Sequence, residues 1–543
     1  MQMIRNLWGA ASSVTPSRPR FARPKSPLAI FAVPACKIII NVLNKRGMKM
    51  FKKIVVIIAV LALTLTACTP QNEDIQQTVP TNDTAIETPE HGGTMHLSMR
   101  RPSTLNPLLN EDVTVARVLR LVYEPLFRLD DNLRPRPHIA ESVTVSEDGL
   151  NVEITIGNVH FSDGTRVTAD DVVYSFQTLI SAPENAIYKR HVQNVASVYR
   201  RDASTVAVRL RQPQSTFEYH LVFPIVSRSG EGVGAFVFES RDGARQLTLL
   251  STGETFINRI IVFFTNDFES DLNALNHNVI DALPATFSEW ARFSQASVRI
   301  TEYTENHFDF LGFNFNRPIF QNRNVRHAIA HLVPSEDIIR LAYLEHAVVA
   351  TTPLHPSSWL YRGQNRTYAH DVARARELLD AEGFETLSFN IIVNREHEER
   401  VRTARMIAAS FERAGLSLGV YELSSEDFLR RLNNREYDMF LGGSKLSAAP
   451  EFEFLFGAGN PMGYSDETMV QLLYAASRAV GETETILTFA ALQNHIMDEL
   501  PIIGIAFWNT AFLTSQRVRG DVNPVMGDVF ANIREWFIVS NEL

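Results

Sequence analysis

Alternating strand and helix patterns in the second half of the chain constrain its fold more than any other feature. Apolar residues at every second position predict a strand over 387–393, and apolar residues at helical spacing predict a helix over 398–414. Another strand follows over 418–423, a short helix starts at Ser424, and a third strand covers 437–441. Two successive strand–helix–strand units predict a parallel α/β sheet. Such sheets bind ligands beyond the carboxyl ends of their strands.

The first half also shows regular elements. The alternation of residues 95–99 and of residues 151–156 predicts two strands, and residues 112–123 have helical spacing. Thr168 is followed by two aspartates and an apolar helical face, which predicts a capped helix. No internal repeat or low-complexity linker marks a further boundary after residue 92.

Charge is unevenly divided along the chain. Of the 52 Lys and Arg residues, eleven lie within residues 1–67, which contain no Asp or Glu. Residues 68–543 therefore carry 41 basic against 61 acidic residues, a net charge of −20. An acidic body argues against non-specific nucleic-acid binding, which needs clustered Lys and Arg. The only two cysteines, Cys36 and Cys68, exclude a disulfide scaffold and a cysteine-rich zinc module.

The basic start of the chain is followed by a short apolar segment. Lys52 and Lys53 precede residues 54–67, which as a helix would be only about 21 Å long, too short for a comfortable membrane span. A basic start followed by a short apolar region predicts a secretory signal at 48–67. Its end, Leu65-Thr66-Ala67-Cys68, resembles the lipobox of bacterial lipoproteins, in which the chain is cut before the cysteine and the thiol is acylated. The alternative is an uncleaved anchor with a chance cysteine.

The segments on either side of this signal are polar or rich in proline. Residues 1–47 are basic and proline-rich and are expected to be a disordered extension. They could also be an over-extended reading frame, with translation starting at Met48 or Met50. Residues 68–91 are rich in Gln, Asn, Thr, Pro and Glu, which predicts a flexible tether between a lipid on Cys68 and the folded body.

Six short segments occur in an order that is familiar from one family. They are Gly92-Gly93-Thr94, Pro102–Pro107, Val122–Phe127, Phe161–Thr165 with Thr168–Ser175, Phe313–Asn316 with Val325–Ala330, and Tyr437–Met439 before Gly442-Gly443. Together they resemble the family-5 solute-binding proteins of ABC importers, the oligopeptide- and dipeptide-binding group. The resemblance runs from about residue 92 to residue 540.

This resemblance implies a two-lobed α/β fold of the periplasmic-binding-protein type (type II, cluster C), with an extra subdomain in the first lobe. The ligand would lie between the lobes, which close over it. The implied boundaries are lobe one at 92–135, 223–305 and 505–543, the extra subdomain at 136–222, and lobe two at 306–504, with crossings near Phe310–Asn316 and Pro501–Trp508.

The resemblance and the residue types together give a set of candidate ligand contacts. Aromatic side chains offer flat apolar walls, and polar side chains next to the crossings offer hydrogen bonds. Trp290 and Trp536 are expected to be packing residues instead. The candidates are Tyr123, Asn316, Arg317, Trp359, Gly442, Gly443, Ser444, Ser447, Trp508 and Asn509.

The chain departs from the family pattern in two places. The segment after Phe223-Pro224 is short, and only residues 232–236 stand where the family has a longer glycine-containing motif. Peptide-binding members carry an Asp, shortly after the Gly-Gly pair, that pairs with the α-amine of the peptide. Ser447 stands at about that position, so binding of a free peptide amino terminus is in doubt, because an unpaired buried ammonium costs several kcal/mol. Lys445 would favour an anionic ligand group, or is simply a solvated surface lysine.

Patterns for catalysis and metal binding are weak. His327 and His331 have the spacing for a shared metal, but the segment holds no third ligand, and two surface histidines explain it as well. No catalytic serine motif and no phosphate-binding loop is present. We therefore expect no enzyme activity and no cofactor.

The sequence as a whole predicts a monomeric, lipid-anchored receptor on the extracytoplasmic face of a bacterial membrane. It would capture peptides and deliver them to a permease, with ATP hydrolysis in partner subunits. Two alternatives stay open: a non-peptide ligand such as a sugar, metal chelate or anionic small molecule, and a surface adhesion or chaperone lipoprotein without transport function.

Overall fold

A computed structural model describes residues 89, 91–241, 245–286, 289, 298–362 and 368–539. These residues belong to one compact unit, which includes Pro89–Leu543, and a second unit, Ala11–Thr88, lies outside them. The predicted signal, the predicted tether before residue 89, Cys68 and Trp290 also lie outside the described residues. Within the described part of the chain, no helix combines the length and the apolar character needed to cross a membrane.

Nineteen strands lie in the described ranges. They are β1 (Thr94–Arg100), β2 (Phe127–Leu129), β3 (Pro135–Pro137), β4 (Ala140–Val145), β5 (Asn151–Ile156), β6 (Val195–Arg200), β7 (Thr205–Leu210), β8 (Phe236–Ser240), β9 (Gln246–Ser251), β10 (Arg259–Thr265), β11 (Ala282–Thr286), β12 (Val298–Phe313), β13 (Ala347–Val349), β14 (Ser388–Asn394), β15 (Ser417–Leu423), β16 (Met439–Lys445), β17 (Ile502–Ser515), β18 (Val518–Arg519) and β19 (Phe537–Ile538).

The α-helices of the same ranges are concentrated in the second half. They are α1 (Val113–Leu119), α2 (Ala169–Ile180), α3 (Phe268–Asn276), α4 (Arg323–His331), α5 (Ser335–Leu341), α6 (Val372–Ala381), α7 (Glu398–Arg413), α8 (Ser425–Asn434), α9 (Glu453–Phe456), α10 (Glu467–Arg478) and α11 (Glu482–Glu499). Short 3₁₀ turns occur at Lys189–Val192, Phe217–His220, Pro318–Gln321 and Ile533–Glu535.

Three larger sheets organise these elements. A four-stranded sheet has the order β1-β10-β9-β8, and an antiparallel sheet has the order β4-β5-β7-β6. The largest sheet has the order β11-β17-β12-β16-β14-β15, with β13 added beside β17. Within it β14 runs parallel to both β15 and β16, so the parallel α/β arrangement predicted from the sequence is confirmed.

Three hydrophobic cores lie among the described residues. One is built from residues between Met95 and Val262 with Ala282 and residues 512–538, the second from residues between Phe308 and Phe507, and a smaller third from residues between Leu272 and Val298 with Ala511 and Leu513. Strands β12 and β17 run from the second core to the others, because the two ends of each strand pack against different neighbours. The lobe and subdomain boundaries given above stay predictions.

Local patterns gave most element positions correctly. Strand β5 covers the residues that alternate, and α7 covers residues 398–413 of the predicted 398–414. Thr168 and Asp171 form the expected capping box at the start of α2, and the Ser424 side chain accepts a hydrogen bond from the backbone N–H of Asp427.

Candidate functional site

The two long strands that connect the cores lose their regular pairing at two places. Strands β12 and β17 pair continuously from Val298 to Thr304, then at Phe308 and Asp309, and again from Phe310 onwards. Residues 305–307 lie in the first register shift, opposite Trp508. A bulge of this kind locally breaks the ladder and lets the strand bend.

Side chains near this bulge alternate between the two faces of the sheet. Across β12 and β16, His307 pairs with Lys445, Phe308 with Ser444, and Asp309 with Gly443. Successive residues of a strand point to opposite faces, so His307, Asp309 and Lys445 share one face and Phe308 and Ser444 share the other. Asn306 belongs to the second face by the same alternation, and its Nδ2 donates to the carbonyl of Ser447 at 2.8 Å.

On the first face, Asp309 is fully buried and accepts four hydrogen bonds. Arg400 of α7 donates to Oδ1 through Nε at 3.0 Å and through Nη2 at 2.8 Å. The Tyr343 hydroxyl at 2.6 Å and Trp508 Nε1 at 2.8 Å both donate to Oδ2. Burial opposes ionisation of Asp309, but the charge of Arg400 and these hydrogen bonds outweigh it and hold its pKa below the usual value. The carboxylate thus joins β12, β17 and α7.

His307 extends this network towards the surface. Its ring stacks on Trp508 with centroids 4.3 Å apart, and its Nε2 lies 2.9 Å from Arg400 Nη2. Because a guanidinium can only donate, Nε2 accepts and the proton resides on Nδ1. Burial, reinforced by the charge of Arg400 and only partly offset by Asp309, lowers the pKa of His307 to about 4. The ring is therefore neutral at physiological pH.

The Gly-Gly pair has a packing role on this face. A Cβ atom on Gly443 would stand 1.9 Å from Asp309 Oδ1 and 2.3 Å from Arg400 Nη2. Only glycine leaves room for the ion pair at this position. Gly442 and Ser444 are also buried in β16, and Ser444 points to the opposite face with Phe308.

On the second face, Ser447 borders a small cavity of about 10 Å³. This is room for one water-sized group. Its walls come from Leu133, Asn306, residues between 353 and 358, and residues 446–452. The cavity therefore draws on parts of the chain that the sequence analysis assigns to both lobes.

One atom in this cavity wall has no hydrogen-bond partner. Asn306 is 4% exposed, and its Oδ1 is buried and unpaired while its Nδ2 is held by Ser447. An unsatisfied buried acceptor costs about 1–3 kcal/mol. Such an atom lining a cavity is a candidate contact for a ligand.

The other polar groups of the wall are already engaged. His355 Nε2 lies 3.3 Å from the carbonyl of Thr304, and His355 Nδ1 accepts from the Ser357 N–H at 3.1 Å. Burial lowers the pKa of His355 to about 4, so it is neutral. Glu451 Oε1 accepts from Gln214 at 2.7 Å and lies 3.0 Å from His220 Nε2. Burial opposes ionisation of Glu451, but the hydrogen bond and charge of His220 outweigh it and lower its pKa.

Trp359 lies close to this cavity and joins distant parts of the chain. Its Nε1 donates to the Tyr219 hydroxyl at 2.8 Å, and its backbone N–H donates to the carbonyl of Asn132 at 2.9 Å. The guanidinium of Arg134 lies 4.6 Å from the centre of its ring. Trp359 is therefore a contact between segments that the sequence analysis assigns to different lobes.

The remaining predicted contacts lie elsewhere. Tyr123 is buried, and its hydroxyl donates to the carbonyl of Gly230 at 3.0 Å. Asn316 and Arg317 are exposed beyond the end of β12, where Arg317 pairs with Asp438 at 2.7 Å. Asn509 stands beside the bulge and accepts from Thr304 Oγ1 at 3.0 Å. Their roles in ligand binding stay predictions.

Lys445 and the spaced histidines have ordinary partners. Lys445 Nζ lies 3.3 Å from Glu305, on the face opposite to Ser444. His327 Nε2 lies 2.8 Å from the carbonyl of Asp498 and His331 Nδ1 lies 2.9 Å from the carbonyl of Ala369, and both rings meet the edge or face of Tyr368. Across the described ranges, no three His, Cys, Asp or Glu side chains are grouped so that they could hold a metal ion.

Sequence reasoning missed Asn306, Asp309, Arg400 and Glu451. Asp309 had a visible signal, because it is the one charged residue within the apolar run 308–313. A lone carboxylate in such a run needs a buried partner. Asn306 had no comparable signal, since one asparagine within the polar run 301–307 does not stand out.

Comparisons with known proteins find relatives and structures similar to most of this chain. The oligopeptide-binding protein AppA of Bacillus subtilis (strain 168) is 19% identical over 539 residues, covering 89% of this chain and 97% of the relative. Heme-binding protein A of Haemophilus influenzae is 22% identical over 456 residues, covering 73% of this chain and 83% of the relative. The crystal structure of the ABC transporter substrate-binding protein CtaP from Listeria monocytogenes has a TM-score of 0.69 at 20% identity, and the match covers 83% of this chain and 100% of that chain.

The fold shared with such structures is the two-lobed α/β fold expected from the resemblance. The family model described as bacterial extracellular solute-binding proteins, family 5 Middle, matches residues 134–463. The chain therefore belongs to the family-5 bacterial extracellular solute-binding proteins, which are extracytoplasmic substrate-binding components of ABC importers and not enzymes.

Proposed function

We propose that this protein is a lipid-anchored receptor that captures extracellular peptides between its two lobes and presents them to a membrane permease. The observation that carries the proposal is the cavity beside Ser447. Leu133, Asn306 and Ser447 border it together, although the sequence analysis assigns Leu133 to lobe one and the other two residues to lobe two. A ligand with one group bound there would contact both lobes, and only such contacts can favour one arrangement of the lobes over another.

Peptide is the preferred ligand class because a relative over almost the whole chain is an oligopeptide-binding protein. An extended peptide is held mainly by its backbone, with side chains in tolerant pockets. The cavity is bordered both by apolar residues such as Leu354 and Phe452 and by polar residues such as Asn306 and His355, the mixture that ligand pockets generally have.

Attachment to the membrane is proposed through Cys68. Cys68 directly follows the apolar segment 54–67, as the acylated cysteine does in bacterial lipoproteins. Acylation would keep the receptor beside its permease, and more than one acyl chain is needed for a stable anchor. Replacing Cys68 by Ala is expected to release the protein from the membrane fraction, and a membrane-bound Cys68→Ala variant would contradict the proposal.

A stability assay tests the ligand class. A ligand that binds only the folded protein stabilises it by about 2.7 kcal/mol at 100 times its Kd. We expect a randomised pentapeptide pool to raise the free energy of unfolding of the wild type. Ser447→Thr, whose added methyl group takes up the room for one water-sized group in the cavity, is expected to reduce this gain, whereas Ser197→Thr on the exposed part of β6 is expected to leave it unchanged.

A non-peptide ligand is the second candidate, because one relative is a heme-binding protein. Stabilisation by hemin without stabilisation by the peptide pool would replace peptide as the ligand class. Lys445 gives little support to an anionic ligand in the cavity, since it pairs with Glu305 on the other face of the sheet. If no tested solute stabilises the protein, the adhesion or chaperone alternative becomes the better hypothesis.

A further inference from the structure

The carboxyl end of α10 is held by a residue from a distant part of the chain. The helix ends at Arg478, and Ala479 leaves the helical conformation with φ −55° and ψ 131°. The last carbonyl groups of an α-helix have no partner within the helix. The backbone N–H of Ser215 donates to the carbonyl of Ser477 at 2.8 Å, and its hydroxyl donates to the carbonyl of Ala476 at 2.6 Å. Ser215 therefore caps α10, although Ala476 is 261 positions away.

Side chains on either side of Ser215 bind the same part of the molecule. Glu451 Oε1 accepts from Gln214 Nε2 at 2.7 Å and lies 3.0 Å from His220 Nε2. Gln214 Nε2 is also 2.7 Å from that ring nitrogen, so the three side chains form one group. Residues 214–220, which the sequence analysis assigns to the extra subdomain, are thus bonded to residues that it assigns to lobe two.

These hydrogen bonds do not lie within a shared hydrophobic core. Phe217 belongs to the first core, whereas Leu473 and Ala476 of α10 belong to the second. A cavity of about 720 Å³ lies between the two sides, bordered by residues 211–216 and by residues 473–478 among others. Parts of a chain that have separate cores and meet through a polar contact are expected to move relative to each other.

Two further contacts join the same parts of the chain. The Tyr219 hydroxyl accepts from Trp359 Nε1 at 2.8 Å. Arg134 Nη1 and Nη2 donate to the carboxylate of Glu482 at 3.1 and 2.6 Å, but these two side chains are 30% and 53% exposed. An exposed ion pair adds little energy. The bonds of residues 214–220, which are buried or half-buried, therefore contribute more.

We propose that residues 214–220 are a latch that holds the extra subdomain against lobe two when no ligand is bound. The latch then sets the fraction of the free protein in which the lobes are together. For a ligand that is held by both lobes, the apparent Kd is the intrinsic Kd divided by this fraction. This effect on affinity rests on the proposed capture of ligands between the lobes, whereas the effect of the latch on the shape of the free protein does not.

The test weakens the latch in the complete protein by combining Gln214→Ala with Ser215→Ala. Each lost side-chain hydrogen bond makes the contact about fivefold less favourable, and the two together about 25-fold. We expect small-angle X-ray scattering to give a larger radius of gyration for this double variant than for the wild type, both without ligand. Calorimetry should give a Kd for the randomised pentapeptide pool that is at least about fivefold higher.

The matched control combines Ser142→Ala with Gln246→Ala, the same changes at exposed positions of β4 and β9. It is expected to leave both values as in the wild type. Urea unfolding shows whether the double variant keeps its cooperative transition, since a larger radius of gyration supports the latch only in a folded protein. If the transition is lost, Ser215→Ala alone takes its place and is expected to give a smaller change in the same direction.

A wild-type radius of gyration in the folded variant would overturn the inference. This holds even if the peptide pool binds more weakly, because Gln214 or Ser215 would then act on the ligand directly. If the wild type binds no peptide, the proposed function is wrong, while the comparison of the ligand-free proteins still tests the latch.

Discussion

Gly443 lies over the carboxylate of Asp309 so closely that a Cβ atom on it would stand 1.9 Å from Asp309 Oδ1. Because Gly443 has no side chain, it leaves free the space that the Asp309–Arg400 ion pair occupies. Since the pair also holds Trp508 and Tyr343, this one contact links the Gly-Gly strand to the bulge between β12 and β17.

Gly443→Ala is expected to lower the free energy of unfolding by about 2 kcal/mol or more, because the methyl group must displace a buried ion pair. Urea unfolding measures the effect. Gly419→Ala is the matched control, since it lies in β15 of the same sheet and its Cβ would stand 3.3 Å from the Tyr421 ring and 3.8 Å from the carbonyl oxygen of Phe389. A loss at Gly443 no larger than at Gly419 would show that the strand shifts without cost.

The Asp309–Arg400 pair should behave as a coupled unit. Removing one partner leaves a buried charge, so Asp309→Asn and Arg400→Met are each expected to cost about 3–5 kcal/mol. The double variant should cost less than the sum, by a coupling energy of up to about 3 kcal/mol. Arg405→Met, which breaks the exposed pair with Glu422, is the control and should cost no more than about 1 kcal/mol. Additive losses in the double variant would contradict a direct interaction between the two side chains.

The buried histidines predict a loss of stability in mild acid. The pKa of His355 is about 4 in the folded protein and about 6.5 when the chain is unfolded, so stability is highest above pH 6.5 and falls as the pH approaches 4. Between pH 7.5 and pH 5 this single group is expected to account for about 2 kcal/mol of the loss. The loss is measured from urea unfolding at both pH values.

Substitution separates His355 from the other titrating groups. His355→Gln should reduce the loss between pH 7.5 and pH 5, although it also lowers stability at both pH values. His160→Gln, at an exposed position, should lose as much stability between pH 7.5 and pH 5 as the wild type does. An unchanged loss in His355→Gln would mean that the ring is already protonated at neutral pH or is accessible to water.

The elements that sequence analysis placed correctly are those with local causes. The alternation in β5 and the apolar spacing in α7 arise from residues within one or four positions of each other. The Ser424 cap is also local. Such patterns decide where an element lies because its hydrophobic face and its unpaired backbone groups depend on neighbours along the chain.

The site depends instead on contacts between distant residues. Asp309 and Arg400 are 91 positions apart, and Asn306 and Ser447 are 141 positions apart. The family resemblance drew attention to Gly443 and Trp508, but not to the carboxylate that both of them meet. A single sequence carries no pairing information at that range, so an unpaired oxygen such as that of Asn306 can be found only in three dimensions.

Trp359 is hydrogen-bonded to Tyr219 and to Asn132. Weakening these bonds should also loosen other contacts between the same parts of the chain. Trp359→Phe keeps the ring beside Arg134 but loses the N–H that donates to Tyr219, which is worth about 1 kcal/mol. The amide of Ser215, which donates to the carbonyl of Ser477 at 2.8 Å, reports on the neighbouring contact between the same parts of the chain. We expect its hydrogen exchange to become about fivefold faster, since 1.4 kcal/mol corresponds to tenfold. Tyr474→Phe, at a ring that is 61% exposed, should leave the rate unchanged. If Ser215 exchanges at the wild-type rate in Trp359→Phe, the two contacts open independently.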